Sequence, residues 1–211
     1  MSVILYSLGA AEEVTGSKHV FEIDGRPFFV DCGAFQGKWN ESDQKNRDFH
    51  IAADKIESVI LTHAHYDHCG LLPLLGKYGF RGNIYATPAT RDLANLIMMD
   101  SASIQARDAE YHRKQAAKKG EKFSWTPLFN EKDVVFATNQ IVSLSYNRKM
   151  FIAPDVQVEF FDAGHILGSA FAFVTITGQS GKKTPESFFD RMQSLFHVNE
   201  QKQKTPEDDE I

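Results

Sequence analysis

The sequence has few of the features that identify a secreted, disulfide-bonded or membrane-spanning protein. Only two of its 211 residues are cysteines, Cys32 and Cys69, and they do not form a CxxC pair. We therefore expect small buried apolar residues at both positions rather than a disulfide framework. No apolar run is long enough to span a membrane, and the apolar N-terminus lacks the basic segment of a signal peptide and is interrupted by Gly9. These absences predict a cytoplasmic protein with no membrane partner.

The chain also lacks the strong positive charge typical of many nucleic-acid-binding proteins. It has 23 Lys or Arg residues and 28 Asp or Glu residues, so its formal net charge is −5. Attraction to a polyanion would have to come from a local basic patch or from a bound metal. The overall composition, with 42% hydrophobic residues, is that of a globular protein, and the length of 211 residues suits one domain or one domain with a tail.

Short apolar strands and capped helices predict an α/β layered domain. Strands are expected at residues 3–8, 19–23, 27–30, 59–62, 83–86, 143–147, 156–161 and 171–177. Asp24-Gly25 is a hairpin turn signal between the second and third of them.

Helix signals are clearest in the middle of the chain. Thr87-Pro88 is typical of a helix start, and a helix to about Lys119 would end at Gly120. Asn130 is expected to cap a second helix over residues 131–138. Residues 71–75 form an apolar helical start, whereas residues 36–50 are expected to be irregular.

The composition changes after residue 180. Residues 181–211 are polar and end in Glu207-Asp208-Asp209-Glu210, which is typical of a solvated acidic tail. Apolar side chains at helical spacing within residues 188–196 predict a short helix over 186–197. The predicted organisation is one domain over residues 1–180 and a tail over 181–211.

A dense group of metal-ligating residue types follows the strand predicted at 59–62. His63 and His65 are two residues apart, so their imidazoles would face the same side of an extended segment. Asp67 and His68 are expected in the turn that follows. Zn²⁺, Fe²⁺ and Mn²⁺ all take imidazole and carboxylate ligands, and α/β sheets carry sites at strand ends. The pattern predicts a metal site, with zinc preferred; the alternative is a His-rich surface turn.

His165 lies between two glycines, and its spacing leaves open both a ligand role and a buried loop histidine. The other histidines have no such context and are expected to be structural or exposed: His19, His50, His112 and His197. We interpret the 17 Phe residues as core rather than as a base-stacking platform. The lysines of residues 114–122 are interpreted as a solvated cluster at a helix end, with RNA contact as the alternative.

The motif His63-x-His65-x-Asp67-His68-x-Gly70 resembles the signature of the metallo-β-lactamase superfamily. Other segments resemble the β-CASP branch of that superfamily, which processes RNA. They are Gly9-Ala-Ala-x-Glu13-Val-Thr-Gly-Ser17, Asp31-Cys-Gly33 with Phe35-Gln-Gly37, Leu71-Leu-Pro-Leu-Leu75, Asp100-Ser-Ala102 with Ile104-Gln105, and Asp162-Ala-Gly-His165-Ile-Leu-Gly-Ser-Ala170. The resemblance covers about residues 1–177 in order.

The resemblance implies a two-metal site. His63, His65 and His165 would hold a first zinc, while Asp67 and His68 would belong to a second zinc and act as catalytic residues. The implied reaction is attack of metal-bound hydroxide on an RNA phosphodiester.

The resemblance also implies supporting residues around the metals. Asp31 would support the ligand loop by hydrogen bonding. Glu13, Thr15 and Ser17 would border the substrate groove.

The chain departs from the family pattern after His165. The family has a strand ending in a metal-bridging Asp, but residues 175–183 reach that place without an Asp. We therefore expect the N-terminal half of an αββα sandwich, with an incomplete second half. About one tightly held zinc per chain is expected, with Mn²⁺ or Fe²⁺ as alternatives. An exposed sheet face would be covered by residues 188–196 or by a homodimer.

Three functions follow from these observations. The first is a zinc-dependent RNA-cleaving hydrolase. The second is a truncated, catalytically inactive metal-binding domain. The third is another hydrolase of the same fold that acts on a small ester or lactam; the segments around Glu13, Ser17 and His165 argue against it.

Overall fold

The computed structural model describes residues 1–177 of the chain. The described residues form two β-sheets and five α-helices. The strands of the larger sheet are β1 Val3–Gly9, β2 Lys18–Ile23, β3 Arg26–Val30, β4 Ser58–Ile60, β5 Asn83–Ala86 and β6 Ile141–Ser143, in that spatial order. The smaller sheet contains β7 Lys149–Ala153, β8 Val156–Asp162 and β9 Ala170–Ile176.

The larger sheet combines an antiparallel edge with a parallel part. β1, β2 and β3 pair antiparallel, and β3 to β6 pair parallel. The helices are α1 Trp39–Asn46, α2 Tyr66–Cys69, α3 Leu72–Lys77, α4 Pro88–Lys119 and α5 Glu131–Asn139. No helix within residues 1–177 is both long and apolar enough to cross a bilayer.

Side chains alternate between the two faces of the larger sheet. Val20 and Phe29, which are paired in register, lie on the face that joins residues of α3, α4 and α5 in the main hydrophobic core. Phe21 and Phe28 lie on the opposite face, where their rings stack at 5.0 Å between centroids. Leu5 pairs with Phe21 on that second face but is 76% exposed. Phe21 and Phe28 are buried on the same face, so the exposure of Leu5 lies at the edge strand β1. Coverage of a sheet face by residues 188–196 or by a homodimer stays a prediction.

The helix signals of the middle segment are confirmed. The Thr87 hydroxyl accepts a hydrogen bond from the Thr90 amide at 3.2 Å, and α4 ends at Gly120, which has φ +72°. Asn130 and Asp133 form a capping box at the start of α5, which ends one residue later than predicted. The hairpin at Asp24-Gly25 is also confirmed, since Ile23 pairs with Arg26.

Two predictions of irregular structure were wrong. Residues 36–50 contain α1, a polar helix without an apolar stripe. Its end is fixed by Asn46, whose side chain accepts from the Phe35 amide at 2.7 Å and donates to the Phe35 carbonyl at 3.1 Å. Asp67 and His68 lie within the short helix α2 rather than in a turn.

The strand prediction at 143–147 was also wrong in its bounds. β6 begins earlier, because Ile141 pairs with Ile84, and Asn147 has φ +56°, which is incompatible with a strand. β7 was not predicted, and it pairs antiparallel with β8. The helix predicted over 186–197 and the acidic tail lie outside the described residues.

Backbone hydrogen bonds join three segments next to the predicted metal site: the residues around Ser17, around Cys32 and Gly33, and around Asp67 and His68. The Ser17 amide donates to the Asp67 carbonyl at 2.8 Å, and the Cys32 amide donates to the His68 carbonyl at 2.8 Å. The Gly33 amide in turn donates to the Ser17 carbonyl at 2.9 Å. A Cβ atom on Gly33 would lie 1.6 Å from the Asp67 carbonyl oxygen, so only glycine allows this approach.

Replacing Gly33 tests how tightly these segments are joined. Gly33→Ala should lower the free energy of unfolding by at least about 3 kcal/mol, because backbone atoms must separate to admit the methyl group. Gly120→Ala is the matched control: its Cβ would meet no atom within 4 Å, and only its left-handed backbone is strained. That variant should lose about 1–2 kcal/mol. Urea denaturation measures both, and equal losses would contradict a rigid junction.

Candidate metal centre

Three histidines from two distant parts of the sequence meet at one end of the larger sheet. His63 and His65 lie between β4 and α2, and His165 lies between β8 and β9. Nε2 of His63 and Nε2 of His165 each lie 3.1 Å from Nδ1 of His65. The three candidate ligand atoms all lie within 4.8 Å of one another, so these residues could hold a metal ion. Within residues 1–177 no other group of His, Cys, Asp or Glu has this spacing.

The three histidine nitrogens are arranged better for coordinating a cation than for hydrogen bonding to one another. A neutral imidazole has one N–H donor and one acceptor nitrogen. Nδ1 of His65 faces two nitrogens at hydrogen-bond distance, and one proton on it cannot satisfy both contacts. A divalent transition metal accepts lone pairs from all three nitrogens at once.

Thr62 orients the ring of His63. Its hydroxyl lies 2.9 and 3.0 Å from the two carboxylate oxygens of Asp31 and 2.9 Å from Nδ1 of His63. Because a carboxylate only accepts, the hydroxyl hydrogen is assigned to Asp31, and Nδ1 of His63 becomes the donor to Thr62. This assignment leaves the lone pair of His63 on Nε2, which faces the other two histidines.

Burial lowers the pKa of His63 to about 4, and the neighbouring His68 adds to the shift. His63 is therefore neutral near pH 7. Neutral imidazole is the form that binds metals, so His63 needs to release no proton on binding.

Asp31 accepts hydrogen bonds from several residues that position the metal-ligating segment. Its buried side chain, in a residue with φ +63°, also accepts from the Thr62 amide at 2.8 Å and from the Ser17 hydroxyl at 3.3 Å. Nδ1 of His68 lies 2.7 Å from its Oδ2. The supporting position expected for Asp31 thus corresponds to contacts with both the ligand loop and α2.

Asp67 and His68 lie beside the three histidines. The His68 ring is 3.9 Å from that of His63 between centroids, and Nε2 of His68 is 3.8 Å from Oδ2 of Asp67. Burial would lower the pKa of His68, but the hydrogen bond to Asp31 and the charges of Asp31 and Asp67 outweigh it and raise the pKa. The two residues expected at a second metal are therefore adjacent, but they do not form a group of three ligands among the described residues.

The loop expected to border a substrate groove is anchored at three points. Glu13 forms an ion pair with Lys45 at 2.8 Å, and the Thr15 hydroxyl accepts from the Gln36 amide at 3.0 Å. Ser17 is buried and contacts Asp31 rather than solvent.

The loop that carries His165 is held by hydroxyl groups. The Ser169 hydroxyl accepts from the amides of His165 and Ile166, at 3.1 and 3.2 Å. The hydroxyls of Thr87 and Thr90 donate to the Gly168 carbonyl, at 2.7 and 2.8 Å. The sequence signal at Thr87 was interpreted only as a helix cap, although the same side chain also fixes this loop.

Lys18 was not singled out from the sequence. It is fully buried, donates to the Gly33 carbonyl at 2.9 Å and lies 4.1 Å above the Phe35 ring. Burial lowers the pKa of Lys18. A lysine on an alternating strand normally indicates an exposed face, so no sequence signal identified it.

The buried positions expected for Cys32 and Cys69 are confirmed, and both thiols are free.

Comparison with known proteins identifies the family to which the chain is similar. Residues 20–181 match the family model described as the metallo-beta-lactamase superfamily domain. A similar protein is Ribonuclease TTHA0252 of Thermus thermophilus, 34% identical over 172 residues that cover 82% of this chain and 35% of the relative. Another is Transcription termination factor FttA of Methanosarcina mazei, 36% identical over 172 residues, which cover 79% and 24% of the two proteins. The chain thus spans about a quarter to a third of these relatives.

Among solved structures, the metallo-beta-lactamase fold protein YhfI of Bacillus subtilis is similar at a TM-score of 0.48 and 14% identity, over 83% of this chain and 59% of that one. The family model covers more than half of the chain, including His63, His65, Asp67, His68 and His165. The chain belongs to the metallo-β-lactamase superfamily.

Proposed function

We propose that this chain binds zinc and hydrolyses RNA phosphodiesters, as a member of the β-CASP branch of its superfamily. The convergence of His63, His65 and His165 on one point carries the proposal. The similarity to proteins named a ribonuclease and a transcription termination factor supports RNA as the substrate class. A cytoplasmic location and a homodimer remain predictions.

The residues at the three histidines would have separate roles in metal binding and in hydrolysis. His63, His65 and His165 would hold the cation, and His63 would present Nε2 because its Nδ1 contacts Thr62. A divalent cation bound there would supply Lewis acidity, which activates water and neutralises charge on a phosphodiester. The Asp67 carboxylate, an acceptor beside the three histidines, would orient the attacking water and receive its proton. His68, fixed through Nδ1 by Asp31, would face the substrate through Nε2.

A second candidate is a metal-binding domain without catalytic activity. One observation favours it: among the described residues, no third metal-ligating side chain joins Asp67 and His68, the residues expected at a second metal. The two candidates share the first metal site and differ in turnover.

The metal site predicts about one tightly bound zinc per chain, since residues 1–177 contain one complete group of three ligands. His165→Ala should weaken zinc binding by more than about 100-fold, because it removes one of three ligands. His19→Ala is the control, since His19 contacts Ser7 away from the three histidines. Metal analysis after dialysis and a competitive chelator titration measure both. Two tightly bound equivalents in the unmodified chain would contradict the prediction.

Catalysis is tested with end-labelled RNA, with added Zn²⁺ or Mn²⁺ and with EDTA. The unmodified chain should cleave only with metal present, and Asp67→Ala should slow cleavage by at least about 100-fold, because it removes the proton acceptor. Asp54→Ala, which changes an exposed Asp in a different part of the fold, should cleave normally. If the chain binds its full equivalent of zinc but cleaves no RNA at any metal concentration, the hypothesis of an inactive metal-binding domain is correct.

A further inference from the structure

Five aromatic rings form a continuous surface patch away from the three histidines: Trp39, Tyr111, His112, Phe123 and Trp125. Trp39 and Trp125 are 5.6 Å apart between ring centroids, and Phe123 is 6.4 Å from Trp125. His112 stacks on Phe123 at 5.7 Å with an interplanar angle of 20°. Tyr111 meets His112 edge-on at 5.4 Å. Below, these five residues are called the aromatic patch.

The aromatic patch is open to solvent. Trp39 is 56% exposed and Tyr111 is 59% exposed, while Phe123 and Trp125 are half-buried. A cavity of about 410 Å³ is lined by Trp39, His112 and Phe123. Small-molecule sites commonly have volumes of roughly 300–1,000 Å³, so the cavity is large enough for a nucleobase. Large rings left in water in such a cluster commonly indicate a binding surface.

The surroundings of the aromatic patch are basic, in contrast with the chain as a whole. Residues 112–123 contain five Lys or Arg residues and one Glu, whereas the full chain has a net charge of −5. Lys38 is adjacent to Trp39 in sequence and pairs with Glu41 at 3.5 Å, while Lys114 pairs with Glu110 at 2.6 Å. With Glu110 included, residues 110–123 still contain five Lys or Arg residues and only two Glu residues. Positive charge beside stacked rings is the combination that binds single-stranded nucleic acid, because cations attract phosphates and rings stack on bases.

We propose that the aromatic patch binds single-stranded RNA by base stacking. The choice of RNA over other polyanions rests on the proposed function. Stacking tolerates any base, because every base presents a π-face, so the aromatic patch would retain a strand without selecting its sequence.

The position of the aromatic patch suits a strand that also reaches the three histidines. Ser101 of α4 hydrogen bonds to the Tyr66 hydroxyl at 3.0 Å, and Tyr66 directly follows His65. His112 is eleven residues farther along the same helix, or about 16 Å along its axis. The aromatic patch would therefore hold RNA that flanks the bond to be cleaved.

The chain carries its own probe of this inference. It has two tryptophans, and both belong to the aromatic patch. Titration with single-stranded RNA, in EDTA and at low salt, should quench tryptophan fluorescence to saturation, since stacked bases quench indole emission. The same titration with duplex RNA, whose bases are already stacked, should quench little, and raised salt should weaken binding.

Variants assign the binding to the aromatic patch. Trp39→Ala should weaken the affinity for fluorescently labelled RNA, measured by anisotropy, by at least about fivefold. Trp39→Phe, which keeps a ring at that position, should retain the affinity. Phe151→Ala removes a ring that is 61% exposed on β7, outside the aromatic patch, and should have no effect. His112→Ala repeats the test at an exposed residue if Trp39→Ala fails to fold.

The outcomes separate this inference from the proposed function. RNA binding without quenching, or an unchanged affinity in Trp39→Ala and His112→Ala, would overturn the aromatic patch as the site. A concentration-dependent dimer that is lost in Trp39→Ala would overturn it in favour of a second copy of the chain. Each of these results leaves metal-dependent cleavage standing, because the titration contains no metal. Quenching by RNA in a chain that never cleaves would support the aromatic patch and reject the enzyme.

Discussion

The buried carboxylate of Asp31 is the interaction on which the arrangement of the metal centre depends. A carboxylate removed from water is stable only when donors surround it, and here the donors come from three different segments: Ser17, Thr62 and His68. Satisfying one charge therefore fixes the end of β4, the loop before β2 and the helix α2 relative to one another. Through Thr62 the same carboxylate also determines which nitrogen of His63 is free for a metal.

This arrangement explains why part of the site could be predicted from the sequence. His63, His65, Asp67 and His68 are close in sequence, so their density alone indicates metal binding. His165 is a hundred residues away, and its spacing left two roles open until the family resemblance was considered. Ser169 lies in a segment that resembles the β-CASP branch, and Thr62 ends a predicted strand, but neither position indicated a role. Hydroxyl residues beside loops are common, and only their contacts show what they do.

The errors in the fold prediction have a similar origin. α1 lacks an apolar stripe and is held by the Asn46 side chain bridging the Phe35 backbone, a tertiary contact that periodicity does not report. The bounds of β6 follow from pairing with β5, and β7 from pairing with β8. Where capping residues alone decide an element, as at Thr87, Gly120 and Asn130, the sequence prediction and the structure agree closely.

The absence of room for a side chain at Gly33 has a thermodynamic consequence for ligand binding. The segments that carry Ser17, Asp31 and Asp67 are pressed together without a gap, and their amides and carbonyls already bond to one another. These three segments therefore lose their conformational freedom when the domain folds. Metal binding does not have to order them. A metal ion would bind to a preorganised site, so little of its binding free energy would be spent on ordering the protein.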